Sequence, residues 1–228
     1  MSFQIPPENG KIIVAPSILS ADLWQLGQQI ELVRSAGADW IHVDVMDGHF
    51  VPNLSFGPAT VKDLKSRALL PLDVHLMVEH PSKFIEPFAK AGADLLTVHI
   101  EAADNVKEVL SMIKKCGVRT GLSVKPDTDP QRIAPLLPDL DLVLVMTVQP
   151  GFGGQGFLPS SPAQIRAVRD LIDQSGRRIY LEVDGGINAQ TTQIAAQAGA
   201  NAFVAGNAIF AAAHPAQALA DIRRAAQI

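Results

Sequence analysis

The sequence predicts one closed parallel barrel of eight strand–helix units, a (β/α)8 TIM barrel, as a single domain over residues 1–228. Three observations carry this expectation. Apolar, β-branched runs occur eight times, at about 12–15, 40–45, 71–77, 94–99, 118–123, 141–147, 179–183 and 201–205. The segments between them show helical spacing of apolar residues. The triplet Ala-Gly-Ala recurs at 36–38, 91–93 and 198–200, where a helix should end and the next strand begin; glycine suits the left-handed residue that closes a helix C-terminus. Strand alternates with helix throughout, with no Pro- or Ser-rich linker, which favours a parallel sheet in one domain.

Run one ends at Ser17 and Ser20 and is followed by the helical spacing Leu23-Leu26-Ile30-Val33. Run two, Trp40-Ile41-His42-Val43-Asp44-Val45-Met46, and run three, Leu72-Asp73-Val74-His75-Leu76-Met77-Val78, share one pattern. Strand side chains alternate between faces. Ile41, Val43 and Val45 therefore oppose His42, Asp44 and Met46, and Leu72, Val74 and Leu76 oppose Asp73, His75 and Met77. Run four ends in His99-Ile100-Glu101, a strand-end position from which both polar groups can line a pocket, and Val106-Val109-Leu110-Ile113 follows as a helix face. Run six leads into Met146 and Pro150-Gly151-Phe152-Gly153-Gly154-Gln155-Gly156, run seven into Asp184-Gly185-Gly186-Ile187-Asn188, and run eight into Gly206-Asn207-Ala208.

Composition narrows the function. With 228 residues, 47% of them hydrophobic, the chain can bury one sizeable core. The net charge of −4 and the scattered Lys and Arg argue against nucleic acid or an anionic membrane as partner. Cys116 is the one cysteine, so no intrachain disulfide framework exists, as expected in a reducing cytosol. Met1–Gly10 has no apolar leader core and no run is long enough to span a bilayer, so the expected location is cytoplasmic.

Active sites of such barrels collect at the C-terminal ends of the strands. His42, Asp44, His75 and Asp184 come from three strand ends that can face one another across the mouth. Two imidazole nitrogens and two carboxylates suit Zn²⁺, Fe²⁺ or Mn²⁺. The alternative is a buried His–Asp cluster that only holds the barrel. Its position beside three glycine-bearing turns after the last strands favours the site, because barrels commonly bind phosphate there. Glycines let backbone N–H groups converge on an anion. Asp73 and Glu182 point inward by parity, either as groups of the barrel interior or as groups that orient the ligands from behind.

Several stretches together resemble the ribulose-phosphate 3-epimerase family: Ala15-Pro16-Ser17-Ile18-Leu19-Ser20-Ala21-Asp22, His42-Val43-Asp44-Val45-Met46-Asp47-Gly48 through Phe50-Val51-Pro52-Asn53, Asp73-Val74-His75-Leu76-Met77-Val78, Pro150-Gly151-Phe152-Gly153-Gly154-Gln155, Glu182-Val183-Asp184-Gly185-Gly186 and Ala208-Ile209-Phe210. The resemblance runs from strand one to strand eight and implies a TIM barrel of the ribulose-phosphate-binding type. It implies interconversion of D-ribulose 5-phosphate and D-xylulose 5-phosphate, a step of the pentose phosphate pathway, with one divalent metal ion (Zn, Fe(II) or Mn) per subunit and no nucleotide cofactor. Carried over by position, His42, Asp44, His75 and Asp184 would hold the metal, and Asp44 and Asp184 would be the acid/base pair. Ser17 and His75 would contact substrate, and Gly151, Phe152, Gly153, Gly154, Gly185, Gly186, Gly206 and Asn207 would bind it through phosphate. The implied partners are a small sugar phosphate and copies of the same chain, as a dimer or hexamer.

The chemistry fits those residues. Epimerising carbon 3 beside a carbonyl removes a proton from one face and returns one to the other. Two groups are needed, one ionised and one protonated, with a cation to polarise the carbonyl oxygen. Met46, Met77 and Met146 are expected to cap the site beside the enediolate without offering a competing acid; ordinary packing at the mouth is the other reading. The last turn often reads Gly-Ser in the family and is Gly206-Asn207 here, while Ser123-Val124-Lys125-Pro126 stands where many members have Asn-Pro. Lys125 reads as a surface residue or a screen for phosphate, and His49, His80 and His214 as solvated loop residues. Two rival functions stay open: 3-epimerisation of another ketose phosphate such as allulose 6-phosphate, and non-catalytic sensing of a sugar phosphate. Decarboxylation without metal would need a lysine among the aspartates, and none stands there.

Overall fold

The computed structural model describes residues 6–67, 69–102 and 104–227. The expectation drawn from Met1–Gly10 thus falls partly on residues 1–5, which lie outside the described residues. All eight apolar runs form strands, each beginning one residue later than its pattern suggests: β1 Ile13–Pro16, β2 Ile41–Met46, β3 Leu72–Met77, β4 Leu95–His99, β5 Arg119–Val124, β6 Leu142–Met146, β7 Tyr180–Asp184 and β8 Ala202–Ala205. One residue is within the ordinary ambiguity of element ends. The strands are parallel and ordered β1-β8-β7-β6-β5-β4-β3-β2. At the seam, β1 and β2 meet through a parallel bridge between Ser17 and His42, so the sheet curls into a nearly closed barrel.

The helices are α1 Leu26–Ser35, α2 Pro58–Arg67, α3 Ile85–Ala91, α4 Val106–Lys115, α5 Ser161–Gln174, α6 Ala189–Gln197, α7 Asn207–Phe210 and α8 Pro215–Ala226. Two details differ from the periodicity reading. Leu23 falls in a 3-10 turn, Leu23–Gln25, and is 65% exposed, whereas Ile30 and Val33 are buried as expected. The fifth unit has no α-helix; a 3-10 stretch, Pro130–Asp139, packs Ile133, Leu136 and Leu137 inward instead. Pro135 and Pro138 remove backbone donors inside it and their rings crowd the preceding turn, so an α-helix cannot continue there.

Strand parity divides the core in two. Outward side chains, among them Ile41, Val43, Val45, Val74, Val98, Val143 and Val183, pack against the helices as one large apolar cluster. Inward side chains fill the bottom of the barrel: Ile13, Ala15, Leu95, Leu142, Leu144 and Val204 surround Trp40 and Tyr180, whose rings meet edge to face at 5.0 Å. The upper interior is polar, and His42, Asp73, His75, Thr97, His99, Ser123 and Glu182 are all fully buried. No helix among the described residues is long and apolar enough to cross a membrane.

The Ala-Gly-Ala triplets are part of a fourfold device. Each is followed by Asp or Asn, as Asp39, Asp94 and Asn201, and Asp141 stands at the matching place before β6. Each of these side chains accepts from the first strand residues of the preceding unit: Asp39 from Val14 N–H (2.9 Å), Asp94 from Leu72 (2.8 Å), Asp141 from Thr120 (2.9 Å) and Asn201 from Leu181 (2.8 Å). Their own N–H groups return bonds to the carbonyls of those same residues. The clamp sets the stagger between strands at the base, away from the end where the polar residues emerge. At Gly92, φ is +104° and a Cβ would stand 2.6 Å from Lys65 Cγ, so glycine is required to turn the chain into its clamp.

The seam clamp is testable. Asp39 also pairs with Lys11 (2.7 Å) and Arg223 (2.6 Å). Asp39→Ala leaves the fully buried Val14 without its acceptor and should cost roughly 1–3 kcal/mol in urea unfolding. Asp39→Asn keeps an acceptor oxygen and should cost less. Equal losses for the two variants would mean that the ion pairs, not the clamp, carry the effect.

Candidate active site

At the C-terminal end of the barrel, a cavity of about 660 Å³ opens above the polar interior. Ser17, Asp44, Met46, Met77, Met146, Asp184, Gly185 and Gly186 line it, together with residues 150–157 and 206–208. The strand-end residues singled out from the sequence therefore converge on one place. His42 and His75 do not line the cavity. They lie fully buried beneath Asp44, which forms its floor.

Asp44 is the hub of that floor. Its Oδ1 is 3.2 Å from His42 Nε2 and 3.2 Å from His75 Nδ1, and its Oδ2 accepts from Ser17 Oγ at 2.6 Å. One donor atom each of His42, Asp44, His75 and Asp184 lies within 4.8 Å of the others. Spacings of 3.2 Å are close to the roughly 3.4 Å between neighbouring donors around a tetrahedral ion with bonds of about 2.0–2.2 Å. The hydrogen-bond pattern agrees with a cation there. His42 Nδ1 faces Asp73 Oδ2 at 2.6 Å and donates to it, which leaves Nε2 as a lone pair aimed at a carboxylate oxygen. Two acceptors at that distance need a positive charge between them, either a metal ion or a proton on the ring.

The titration behaviour expresses the same need. Burial disfavours a charged His42, but Asp73 and Asp44 overcome it and raise its pKa well above the ordinary histidine value. Burial would also raise Asp44, yet His42 and His75 hold it well below the usual carboxylate range. Asp184 goes the other way: burial and the Asp44 charge push it up to about 7. The two aspartates of the cavity thus differ in protonation, one ionised and one able to hold a proton near neutrality. Burial lowers His75. Behind Asp73, burial and the Asp73 charge push Glu182 well above its ordinary carboxylate value. Asp73 thus backs His42 directly, and Glu182 lies close to both.

The opposite wall is built from turns. Gly186 has φ +66° and a Cβ there would overlap the Phe157 backbone, so the turn after β7 closes onto the turn after β6 only through glycine. A Cβ on Gly154 would stand 2.7 Å from Asn207 Nδ2, and one on Gly153 3.5 Å from Ser20 Oγ. The turns after β1, β6, β7 and β8 therefore converge, as an anion pocket requires. Gly151 touches the β2–α2 loop, with Asn53 donating to its carbonyl at 3.0 Å. Phe152 is 55% exposed and forms the outer lip. Asn188 caps α6 and accepts from the N–H groups of Gln190 and Thr191 in a capping box.

Some contributors were not legible in the sequence. Thr147 Oγ donates to the carbonyls of Asp184 (2.9 Å) and Gly185 (2.5 Å) and fixes the β7 turn, with no motif to announce it. Val148, Phe157 and Ile194 supply apolar wall. His99 sits behind His75, not on the cavity, and Lys125 Nζ lies 4.0 Å over the Phe50 ring. His80 is partly buried and bonds Asp104 at 3.1 Å, whereas His49 and His214 are exposed as expected.

Asp184 gives a pH signature in metal-free protein. Its folded pKa of about 7 exceeds the ordinary 3.8, so folding takes up a proton between those values. The stability it contributes is fully present below about pH 4 and is lost as pH rises through about 7. Metal-free Asp184→Asn should therefore melt a few degrees above wild type at pH 8 and level with it near pH 4, read by thermal unfolding. A wild-type midpoint that is flat relative to the variant would contradict the raised Asp184.

Comparison with known proteins bears on this site. The family model described as "Ribulose-phosphate 3 epimerase family" matches residues 13–210. A ribulose-phosphate 3-epimerase of Bacillus subtilis (strain 168) is 48% identical over 213 residues, 93% of this chain and 98% of its own. The cytoplasmic isoform of Oryza sativa subsp. japonica is 44% identical over 218 residues, 94% of each chain. Among solved structures, the 3-hexulose-6-phosphate synthase of Salmonella typhimurium superposes with a TM-score of 0.69 at 20% identity, over 95% of this chain and 99% of that one. The orotidine 5'-phosphate decarboxylase of Pyrococcus horikoshii OT3 gives 0.68 at 15% identity, over 95% and 100%. At such identity these two share the fold.

Proposed function

Because the chain belongs to the ribulose-phosphate 3-epimerase family, we propose that it interconverts D-ribulose 5-phosphate and D-xylulose 5-phosphate by two-aspartate acid/base catalysis at a divalent metal site. The observation that carries this reading is the opposed protonation of Asp44 and Asp184 in one cavity, above His42 and His75. An ionised Asp44 takes the carbon-3 proton from one face, and a protonated Asp184 delivers one to the other. The reverse reaction exchanges the roles. Each aspartate then holds the state the other began with, so both directions run at one pH.

His42, Asp44, His75 and Asp184 would hold the metal ion, and the donor set fits Zn²⁺, Fe²⁺ or Mn²⁺. A bound divalent ion would polarise the carbonyl oxygen at carbon 2 and offset the charge of the enediolate. The turns at 151–154, 185–186 and 206–207 grip the phosphate, with the Asn207 amide as a side-chain donor. That grip supplies binding energy remote from the reacting carbon. Ser17, bonded to Asp44, orients its carboxylate toward substrate. Met46, Met77 and Met146, all nearly fully buried, close the space beside carbon 3 without offering a proton. Leu23, Trp24 and Leu54, exposed on the loops after β1 and β2, support assembly with further copies of the chain. A cytoplasmic location accords with the rice relative.

Turnover of D-ribulose 5-phosphate by metal-loaded protein, with allulose 6-phosphate run alongside, tests the substrate. Preference for the five-carbon sugar is expected. Activity on neither would overturn the reading in favour of sensing. In heavy water, product should acquire deuterium at carbon 3. Asp44→Asn and Asp184→Asn should each lower kcat by about 10²–10⁴-fold with an unchanged far-UV spectrum. Wild-type turnover by either variant would remove that aspartate from the mechanism. Chelation should abolish activity, and a divalent ion should restore it.

A further inference from the structure

Behind His75 lies a chain of buried polar groups that the epimerisation chemistry does not use. His75 Nε2 is 2.9 Å from His99 Nε2, and His99 Nδ1 is 3.1 Å from Glu101 Oε2. Glu101 is anchored in turn. Its Oε1 accepts from Lys125 N–H at 2.9 Å and from the Thr128 hydroxyl. His75 and His99 are fully buried, and the Glu101 side chain is 16% exposed. Phe50 packs at a tilt against the His99 ring, centroids 4.7 Å apart, and carries Lys125 Nζ at 4.0 Å from its own ring centre. The His99 ring is thus held in place and shielded from water.

We propose that His99 and Glu101 are positioning residues that select the tautomer of His75 and thereby present its Nδ1 as a metal-ligating lone pair. The inference rests on the metal site proposed above. A hydrogen bond between two Nε2 atoms contains one proton, so one ring donates and the other accepts. Glu101, ionised, accepts only, which assigns the His99 proton to Nδ1. His99 Nε2 is then the acceptor, His75 carries its proton on Nε2, and His75 Nδ1 is left unprotonated. That is the atom 3.2 Å from Asp44 Oδ1, on the side of the four-residue cluster. Without the relay, His75 can place its proton on Nδ1 and donate to Asp44, closing the ligand position with an ordinary hydrogen bond. Glu101 is at about 2: burial opposes this, but the bonds from His99, Thr128 and Lys125 prevail. His42 has the shorter version of the same device, in which Asp73 alone fixes the ring at 2.6 Å.

The test is Co²⁺ affinity of the full chain by competition with a chromophoric chelator, with the visible spectrum of the bound ion and the unfolding midpoint of metal-free protein read in parallel. Wild type should bind about one ion per chain, and His75→Ala should abolish that binding. His99→Phe removes the acceptor and should weaken binding about 10–100-fold with an altered spectrum. His99→Gln, whose amide oxygen can accept the same proton, should recover part of the loss. Glu101→Gln should weaken binding by a smaller factor with its fold unchanged. If wild type binds the ion and His75 is required, but His99→Phe and Glu101→Gln match wild type in affinity and spectrum, the relay is overturned while the metal reading stands. If wild type binds no Co²⁺, both are overturned. A loss in His99→Phe that tracks only a fallen unfolding midpoint, with no recovery in His99→Gln, would also overturn the relay by reducing His99 to packing.

Discussion

Asp44 shares one carboxylate oxygen between two imidazole nitrogens, and much of the upper barrel is arranged around the positive charge this requires. An ionised carboxylate inside a protein is expensive unless it is paired and bonded. Here the partners are themselves fully buried and need partners of their own. His42 leans on Asp73, beside which Glu182 stands, His75 leans on His99, and His99 on Glu101. The polar network runs outward from Asp44 until it reaches the partly exposed Glu101 on one side and Asp73, with the buried Glu182 beside it, on the other.

That arrangement explains how one cavity holds two aspartates of opposite character. Asp44 receives a hydrogen bond from Ser17 and the field of two histidines, so ionisation is favoured despite burial. Asp184 lacks comparable donors among the described residues and sits in the field of Asp44, so the proton is retained to about pH 7. The difference comes from neighbours, not from the residue type. The same contrast gives the cavity floor its demand for a cation, since a raised His42 is the proton-bound answer to the need a divalent ion would meet.

The barrel separates rigidity from contact. Its base is fixed by four clamps, Asp39, Asp94, Asp141 and Asn201, and by the Trp40–Tyr180 plug. Its rim is made of glycine turns that approach one another more closely than side chains would permit. Groups that must be held to a fraction of an ångström stand on strands, and groups that must surround an anion stand on turns.

The sequence by itself determined the eight strands, their parity and the end of the barrel at which the polar residues emerge, because period-two alternation and repeated helix ends are local properties. The His42-Val43-Asp44 and Asp73-Val74-His75 runs could be assigned faces for that reason alone, and the Ala-Gly-Ala triplets mark helix ends through the conformational freedom of their glycine. Tertiary structure decided what depends on distance between elements far apart in the chain. It moved His42 and His75 from the cavity wall to beneath its floor, placed His99 behind His75 across 24 residues of sequence, and set Thr147 under the Asp184 turn 37 residues away. The opposed protonation of Asp44 and Asp184 belongs to this second class as well. A pKa is set by burial and by charges gathered from several strands, and no spacing along the chain encodes that sum.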